Sequence, residues 1–144
     1  ALHQETESIG TVIRDVEERL RSMNLGIEAW LSEQPIWSRE MSVSSSPVAP
    51  RLELQLGFAP LRGSRSPAAD SWHLQLREAE VTPTAGVIPG EGTQRLRIQD
   101  QQPLARCSRE DQVAALRLLP DILAHLVELA QQRIEAIRAA KKLV

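Results

Sequence analysis

The stretch LELQLGF, residues 52–58, decides the fold class, because a leucine or phenylalanine stands at every second position. Side chains on a β-strand alternate between two faces, so this pattern predicts a strand with one apolar face. The stretch WHLQLR, residues 72–77, repeats the alternation, and residues 95–99 carry a shorter version. A weaker first strand is predicted from Trp37, Arg39, Met41 and Val43.

The strand region, residues 36–100, is interrupted by connectors rich in proline, glycine and serine. These connectors lie at residues 44–47, 60–69 and 83–92, and such composition is typical of turns and loops. They are too short to hold the crossover helices that parallel strands need. The sequence therefore predicts an antiparallel meander of three or four strands, with one apolar face that only helices can cover.

A long N-terminal helix is predicted over residues 6–34. Its apolar residues recur at alternate steps of four and three, which is a heptad seam. Charged pairs four residues apart, such as Glu17 with Arg21, are expected on the solvent-facing side of the helix. The seam consists of Ile9, Ile13, Val16, Leu20, Met23, Ile27 and Trp30.

The boundaries of this helix depend on two residues. Pro35 ends it, because proline disfavours helical geometry in the residue before it. Gly26 lies inside the pattern and costs about 1 kcal/mol relative to alanine in a helix. A break near Gly26, followed by a second short helix over residues 27–32, therefore stays open as an alternative.

The C-terminal helical region, residues 108–142, begins with a clear start signal. Ser108 stands three residues before Asp111, which is the spacing of a helix N-cap. Pro120 stands inside the apolar pattern, so the long helix is either kinked there or broken into two abutting helices. Residues 1–144 are thus predicted to form a single α+β domain.

The predicted helices are longer than the predicted sheet and therefore overhang it. A helix over residues 6–34 is roughly 43 Å long, whereas a six-residue strand spans about 20 Å. Apolar stripes on the overhanging parts need cover, which predicts a homodimer with a helical interface. Packing of the two helices against each other in a monomer is the alternative. The candidate interface residues are Ile9, Ile13, Val16, Leu20, Met23, Ile27, Leu126, Ala130, Ile134 and Ile137.

Composition argues against several function classes. The net charge is −2 with both signs interspersed, so no strong field attracts nucleic acid or a membrane. Aromatic residues make up 3%, which leaves few platforms for stacking on bases. Fifteen of the seventeen basic residues are arginines, a bias that a bacterial genome of high G+C content explains. The start of the chain lacks the pattern of a signal peptide, so a cytoplasmic location is expected.

No group of residues predicts a catalytic, metal or cofactor site, and we expect none. His125 lies four residues after Asp121 and three before Glu128, which fits a metal-binding helix face but fits a solvated face better. Cys107 is the only cysteine, and it is expected to be a small buried thiol rather than a nucleophile. A modest basic patch is the remaining candidate for nucleic-acid contact, through Arg62, Arg65, Arg95 and Arg97.

Two function classes remain. The first is a non-enzymatic protein–protein interaction or scaffold protein that self-associates through its long helices and binds a further protein. The second is a small-ligand-binding protein or weak enzyme with a pocket between the sheet and the helices. The expected pocket residues are Trp37, Trp72 and His73.

Overall fold

A computed structural model describes residues 2–23, 25–41, 50–61, 71–83 and 94–143, and its architecture is α+β, as the sequence predicts. A short 3-10 helix over Leu104–Arg106 joins the sheet to the last two helices. The elements in chain order are helix α1 (Leu2–Ser22), strands β1 (Ala29–Trp30), β2 (Trp37–Glu40), β3 (Arg51–Pro60), β4 (Trp72–Pro83) and β5 (Gln94–Pro103), and helices α2 (Arg109–Leu116) and α3 (Leu119–Lys142).

The strands form one antiparallel sheet in which β3 and β4 are central. One side of β3 pairs with β1 and β2, its other side pairs with β4, and β4 pairs with β5. Leu56 lies opposite Leu76, and Phe58 lies opposite Leu74, so the two alternating stretches share one apolar face. The predicted antiparallel sheet is confirmed, but it has five strands among the described residues rather than three or four, and Val43 of the predicted first strand lies outside those residues.

The core lies between this apolar face and the helices. α1 contributes Ile13 and Leu20, and α3 contributes Ile122 and Leu126, all with at most 3% of their surface exposed. Full burial of such an aliphatic side chain stabilises a fold by about 1.5–3 kcal/mol. α1 and α3 therefore both pack into the core through buried aliphatic side chains.

The predicted helix over residues 6–34 is wrong in its second part, because α1 ends at Ser22. Gly26 adopts a φ of 60°, a left-handed conformation that an α-helix does not contain. The chain then extends alongside β3, where the N–H of Leu31 donates to the carbonyl of Leu56 at 2.8 Å. A helix through this segment would deprive that edge of β3 of its hydrogen-bond partners.

The predicted helical region over residues 108–142 consists of two helices. The hydroxyl of Ser108 accepts the N–H of Asp111 at 3.3 Å and caps α2. Pro120 lies in the first turn of α3, where its missing N–H removes no helical hydrogen bond. Within the described ranges, no helix is both long enough and apolar enough to cross a membrane.

Candidate functional site

A buried carboxylate joins α1 to the start of β4. Glu17 is 5% exposed, and its Oε2 accepts the backbone N–H of Leu74 at 3.2 Å. The same oxygen lies 2.8 Å from Nδ1 of His73 and 3.4 Å from Nη2 of Arg21. Nδ1 of His73 also lies 3.0 Å from Nη2 of Arg21, so this nitrogen is within hydrogen-bond distance of both a donor and an acceptor. Arg21 in turn donates from Nε to the carbonyl of Trp72 at 2.7 Å.

This cluster closes an edge of the sheet. β5 pairs with β4 only as far as Gln75, so within the described residues no strand pairs with the backbone of residues 72–74 on that side. Side chains of α1 supply the missing acceptor and donor instead. A histidine oriented by a carboxylate also occurs in catalytic sites, but here the carboxylate is bonded to the strand backbone, so we interpret the cluster as structural. The expectation that Glu17 lies on the solvent-facing side of the helix is wrong.

The three predicted pocket residues are not brought together. Trp37 lies opposite Leu54, and Trp72 lies opposite Pro60, which puts them about 20 Å apart along β3. The ring of Trp72 packs against that of Phe58, with 5.6 Å between centroids. His73 points to the opposite face of the strand from Trp72, since neighbours on a strand alternate, and it bonds Glu17 instead.

The second face of the sheet carries a buried polar network that the sequence pattern did not reveal. Gln55 is fully buried, and its Oε1 accepts from Nε of Arg77 at 2.8 Å. The guanidinium of Arg77 lies 4.2 Å from the ring centroid of Trp30, and burial lowers the pKa of Arg77, with the Glu28 carboxylate opposing that shift. The ring of Trp30 lies across Gly57. Among the described residues, every buried side-chain nitrogen and oxygen has a hydrogen-bond partner.

A cleft of about 360 Å³ lies between α3 and the segment that follows β1. The helix side presents Asp121, His125 and Glu128, and Glu33 stands in the facing segment. The sequence places these helix residues on one face, as the structure does. Within the described part of the chain, no group of acidic, histidine or cysteine side chains has the geometry of a metal site. The cleft is therefore acidic and open. If the protein belongs to the second function class, a small-ligand-binding protein, this cleft is where the ligand would bind.

The remaining chemical candidates lie apart from this cleft. Cys107 is half-buried, and its thiol donates to the carbonyl of Pro103 at 3.3 Å. Burial, together with the nearby carboxylates of Asp111 and Asp100, raises the pKa of Cys107 to about 11. Such a thiol is a poor nucleophile near neutral pH. Of the predicted basic patch, Arg95 and Arg97 are exposed on β5, whereas Arg62 and Arg65 lie outside the described residues.

The ten predicted interface residues divide into two groups. All four of those on α1 face the core: Ile13 and Leu20 are buried, while Ile9 and Val16 are partly buried against it. Met23 is 50% exposed just past the end of α1. Ile27 packs against the core beyond the helix, and Leu126 of α3 is buried. The exposed or partly exposed members on α3 are Ala130, Ile134 and Ile137.

Helix α3 carries a second apolar stripe that does not face the core. We name it the outer stripe. Its large members are Leu123, Val127, Ile134 and Ile137, which are 39%, 50%, 49% and 51% exposed, and Ala130 lies between Val127 and Ile134. Every residue from 131 to 143 is exposed, so half of this helix extends beyond the body. The outer stripe follows steps of four, three, four and three, the spacing of a coiled-coil seam. Its members are Leu123, Val127, Ala130, Ile134 and Ile137.

Comparisons with protein-family models, with curated proteins and with solved structures found no match for the chain.

Proposed function

We propose that this protein is a non-enzymatic interaction protein that self-associates through the outer stripe of α3. The observation that supports the proposal is the projection of α3, whose buried residues are Ile122 and Leu126 in its first half. The second half still carries large apolar residues at coiled-coil spacing. Single exposed apolar residues are common on protein surfaces, but a regular row along a projecting helix is typical of an interaction surface.

The free helix end also needs support. Isolated helices of about twelve residues are marginally stable in water, because tertiary packing supplies most helical stability. In residues 131–142 the side chain of Arg133 is hydrogen-bonded to the body, since its Nη1 donates to the carbonyl of Leu25 at 3.3 Å. A second helix packed on the outer stripe would supply the missing apolar contacts along this segment.

The expected affinity is low. Burying a half-exposed valine or isoleucine contributes roughly 1 kcal/mol, and a symmetric dimer buries Val127, Ile134 and Ile137 from each copy. The sum, about 6 kcal/mol, is of the same order as the free energy that association itself costs. Even if the whole sum appeared as binding free energy, the dissociation constant would be no smaller than roughly 40 µM, so dilute samples will be monomeric.

Sedimentation equilibrium from about 10 µM, below this limit, to about 1 mM tests the proposal. The average mass should rise from one chain towards two as the concentration increases. Ile134→Glu should keep the protein monomeric throughout, because it places a charge in the apolar seam. Gln132→Glu is the matched control, since it adds the same charge at an exposed position of α3 away from the outer stripe. A monomeric wild-type protein at the highest concentration would refute self-association.

A further inference from the structure

Charge is distributed unevenly along α3. The first half, residues 119–130, contains Asp121 and Glu128 as its only charged residues, which gives −2 with histidine neutral. The second half, residues 131–142, contains four basic residues and one glutamate, which gives +4 − 1 = +3. The charged residues of the second half are Arg133, Glu135, Arg138, Lys141 and Lys142.

We propose that α3 pairs antiparallel with α3 of a second copy, and that Arg138 of the second copy enters the acidic cleft beside Asp121 and Glu128. This inference rests on the proposed function, because it specifies the geometry of that self-association. Antiparallel packing places the first half of each α3, with a charge of −2, beside the second half of the other α3, with a charge of +3. Parallel packing would face like charges with like, which is unfavourable. The helix dipoles also favour the antiparallel arrangement.

The shapes of the stripe residues select a register. In an antiparallel seam, Val127 lies opposite Ile137 of the second copy, and Ala130 lies opposite Ile134 of the second copy. A small side chain then faces a larger one in each layer, which fills space well. The register also keeps the two folded bodies at opposite ends of the helix pair. A shift of one heptad towards the N-terminus would place Ile137 against Pro120, next to the body.

In this register Arg138 flanks the seam on the cleft side. Along the helix pair its position falls opposite Leu126 of the other copy, two residues from Ala124, which lies on the same side of the seam and lines the cleft. Asp121 and Glu128 are three residues before and four residues after Ala124, so their carboxylates lie on both sides of the incoming guanidinium. The alanine leaves room for the long side chain. An arginine can donate to two carboxylates at once because its five N–H groups form a fork.

Disulfide cross-linking tests the orientation in a Cys107→Ser background. Val127→Cys and Ile137→Cys are made as separate variants, each oxidised alone and as a mixture. The antiparallel register predicts a cross-linked dimer in the mixture only, because each cysteine lies opposite the other position. Cross-linking of either variant alone overturns the proposal, since it reports parallel packing. Absence of any cross-link in samples that sediment as dimers overturns the register, whereas monomeric wild-type protein overturns the proposed function itself.

A charge exchange gives a second measurement that does not alter the seam. Arg138→Glu and Asp121→Arg should each weaken dimerisation roughly tenfold, because both copies lose an attraction and gain a repulsion. The double variant should recover most of the affinity. Arg117→Glu, which reverses the same charge in the turn before α3, should leave dimerisation unchanged. If the double variant is as weak as the single ones, Arg138 does not pair with Asp121 and the cleft assignment is overturned.

Discussion

The carboxylate of Glu17 takes the place of a strand beside Leu74, whose backbone N–H donates to Glu17 Oε2 at 3.2 Å. β5 pairs with β4 only up to the position of Gln75, and beyond that point α1 covers the edge. An uncovered edge exposes unpaired backbone groups that other chains can bind. Glu17 therefore ties the helix to the sheet and also blocks that part of the edge.

Removal of this carboxylate should destabilise the fold. Glu17→Ala leaves the buried N–H of Leu74 without its acceptor, and a buried donor left unpaired costs about 1–3 kcal/mol. Glu18→Ala is the matched control, since Glu18 is exposed on the same helix and its loss should change the free energy of unfolding by less than about 0.5 kcal/mol. Urea denaturation measures both variants. Equal stability of the two would show that the Glu17 contacts contribute nothing.

The burial of Glu17 could not be predicted from the sequence. Its spacing from Arg21 is that of a solvent-exposed helical pair, and the two side chains do lie 3.4 Å apart. Helical periodicity cannot show that an edge of the sheet lies beside the helix, because the edge depends on where β5 ends. The same limit applies to Gln55, which lies on the polar side of an alternating strand yet is fully buried.

The alternating stretches predicted the sheet because period-two patterns have few other interpretations. The apolar seam of the N-terminal region predicted its helix less reliably. Its steps of four and three continue through Ile27 and Trp30, but these residues lie beyond the end of α1 at Ser22 and pack as extended chain. Pairing of residues 29–31 with β3 determines the conformation there, and a tertiary contact of this kind overrides local helical preference.

Substitution of Gly26 should destabilise the fold because of the backbone conformation alone. Its φ of 60° lies in the left-handed region, and nothing lies within 4 Å of a Cβ built at this position. Gly26→Ala should lower the free energy of unfolding by about 1 kcal/mol, since a β-carbon disfavours that region. Gly26→Asn should cost less, because asparagine tolerates the left-handed conformation best among residues with side chains. An alanine variant as stable as the wild type would contradict this account.

Substitution of Gly57 should destabilise the fold because a larger side chain has no room there. A Cβ at Gly57 would collide with the ring of Trp30 and would lie 2.6 Å from the carbonyl oxygen of Ala29. Gly57→Ala must therefore push β1 away from β3, and overpacking of this kind costs about 1–3 kcal/mol.

Gly10→Ala is the matched control for Gly57→Ala, because nothing lies within 4 Å of a Cβ at Gly10, inside α1. This variant should raise the free energy of unfolding by up to about 1 kcal/mol, since alanine is the better helix former. Thermal denaturation should show that Gly57→Ala lowers the stability of the protein and that Gly10→Ala raises it. Destabilisation by both would point to a close contact of Gly10 instead.

The thiol of Cys107 should be slow to react in the folded protein. Its pKa of about 11, raised from 9.0, means that alkylation by iodoacetamide at pH 8 should be much slower in buffer than in urea. The unfolded thiol loses its proton first as the pH rises, so the free energy of unfolding should fall between about pH 9 and pH 11. Cys107→Ser should reduce this fall, and equal alkylation rates in both states would contradict the shift.

Adjacent residues on α3 should respond differently, because Leu126 is 2% exposed and Val127 is 50% exposed. Leu126→Ala removes a core side chain and should lower the free energy of unfolding by about 2–5 kcal/mol at any protein concentration. Val127→Ala should change it by less than about 0.5 kcal/mol in a dilute, monomeric sample, yet it should weaken self-association at high concentration. Denaturation at low concentration and sedimentation at high concentration separate the two effects. If Val127→Ala destabilises the dilute protein as strongly as Leu126→Ala, the outer stripe belongs to the monomer's own core and cannot be the interface.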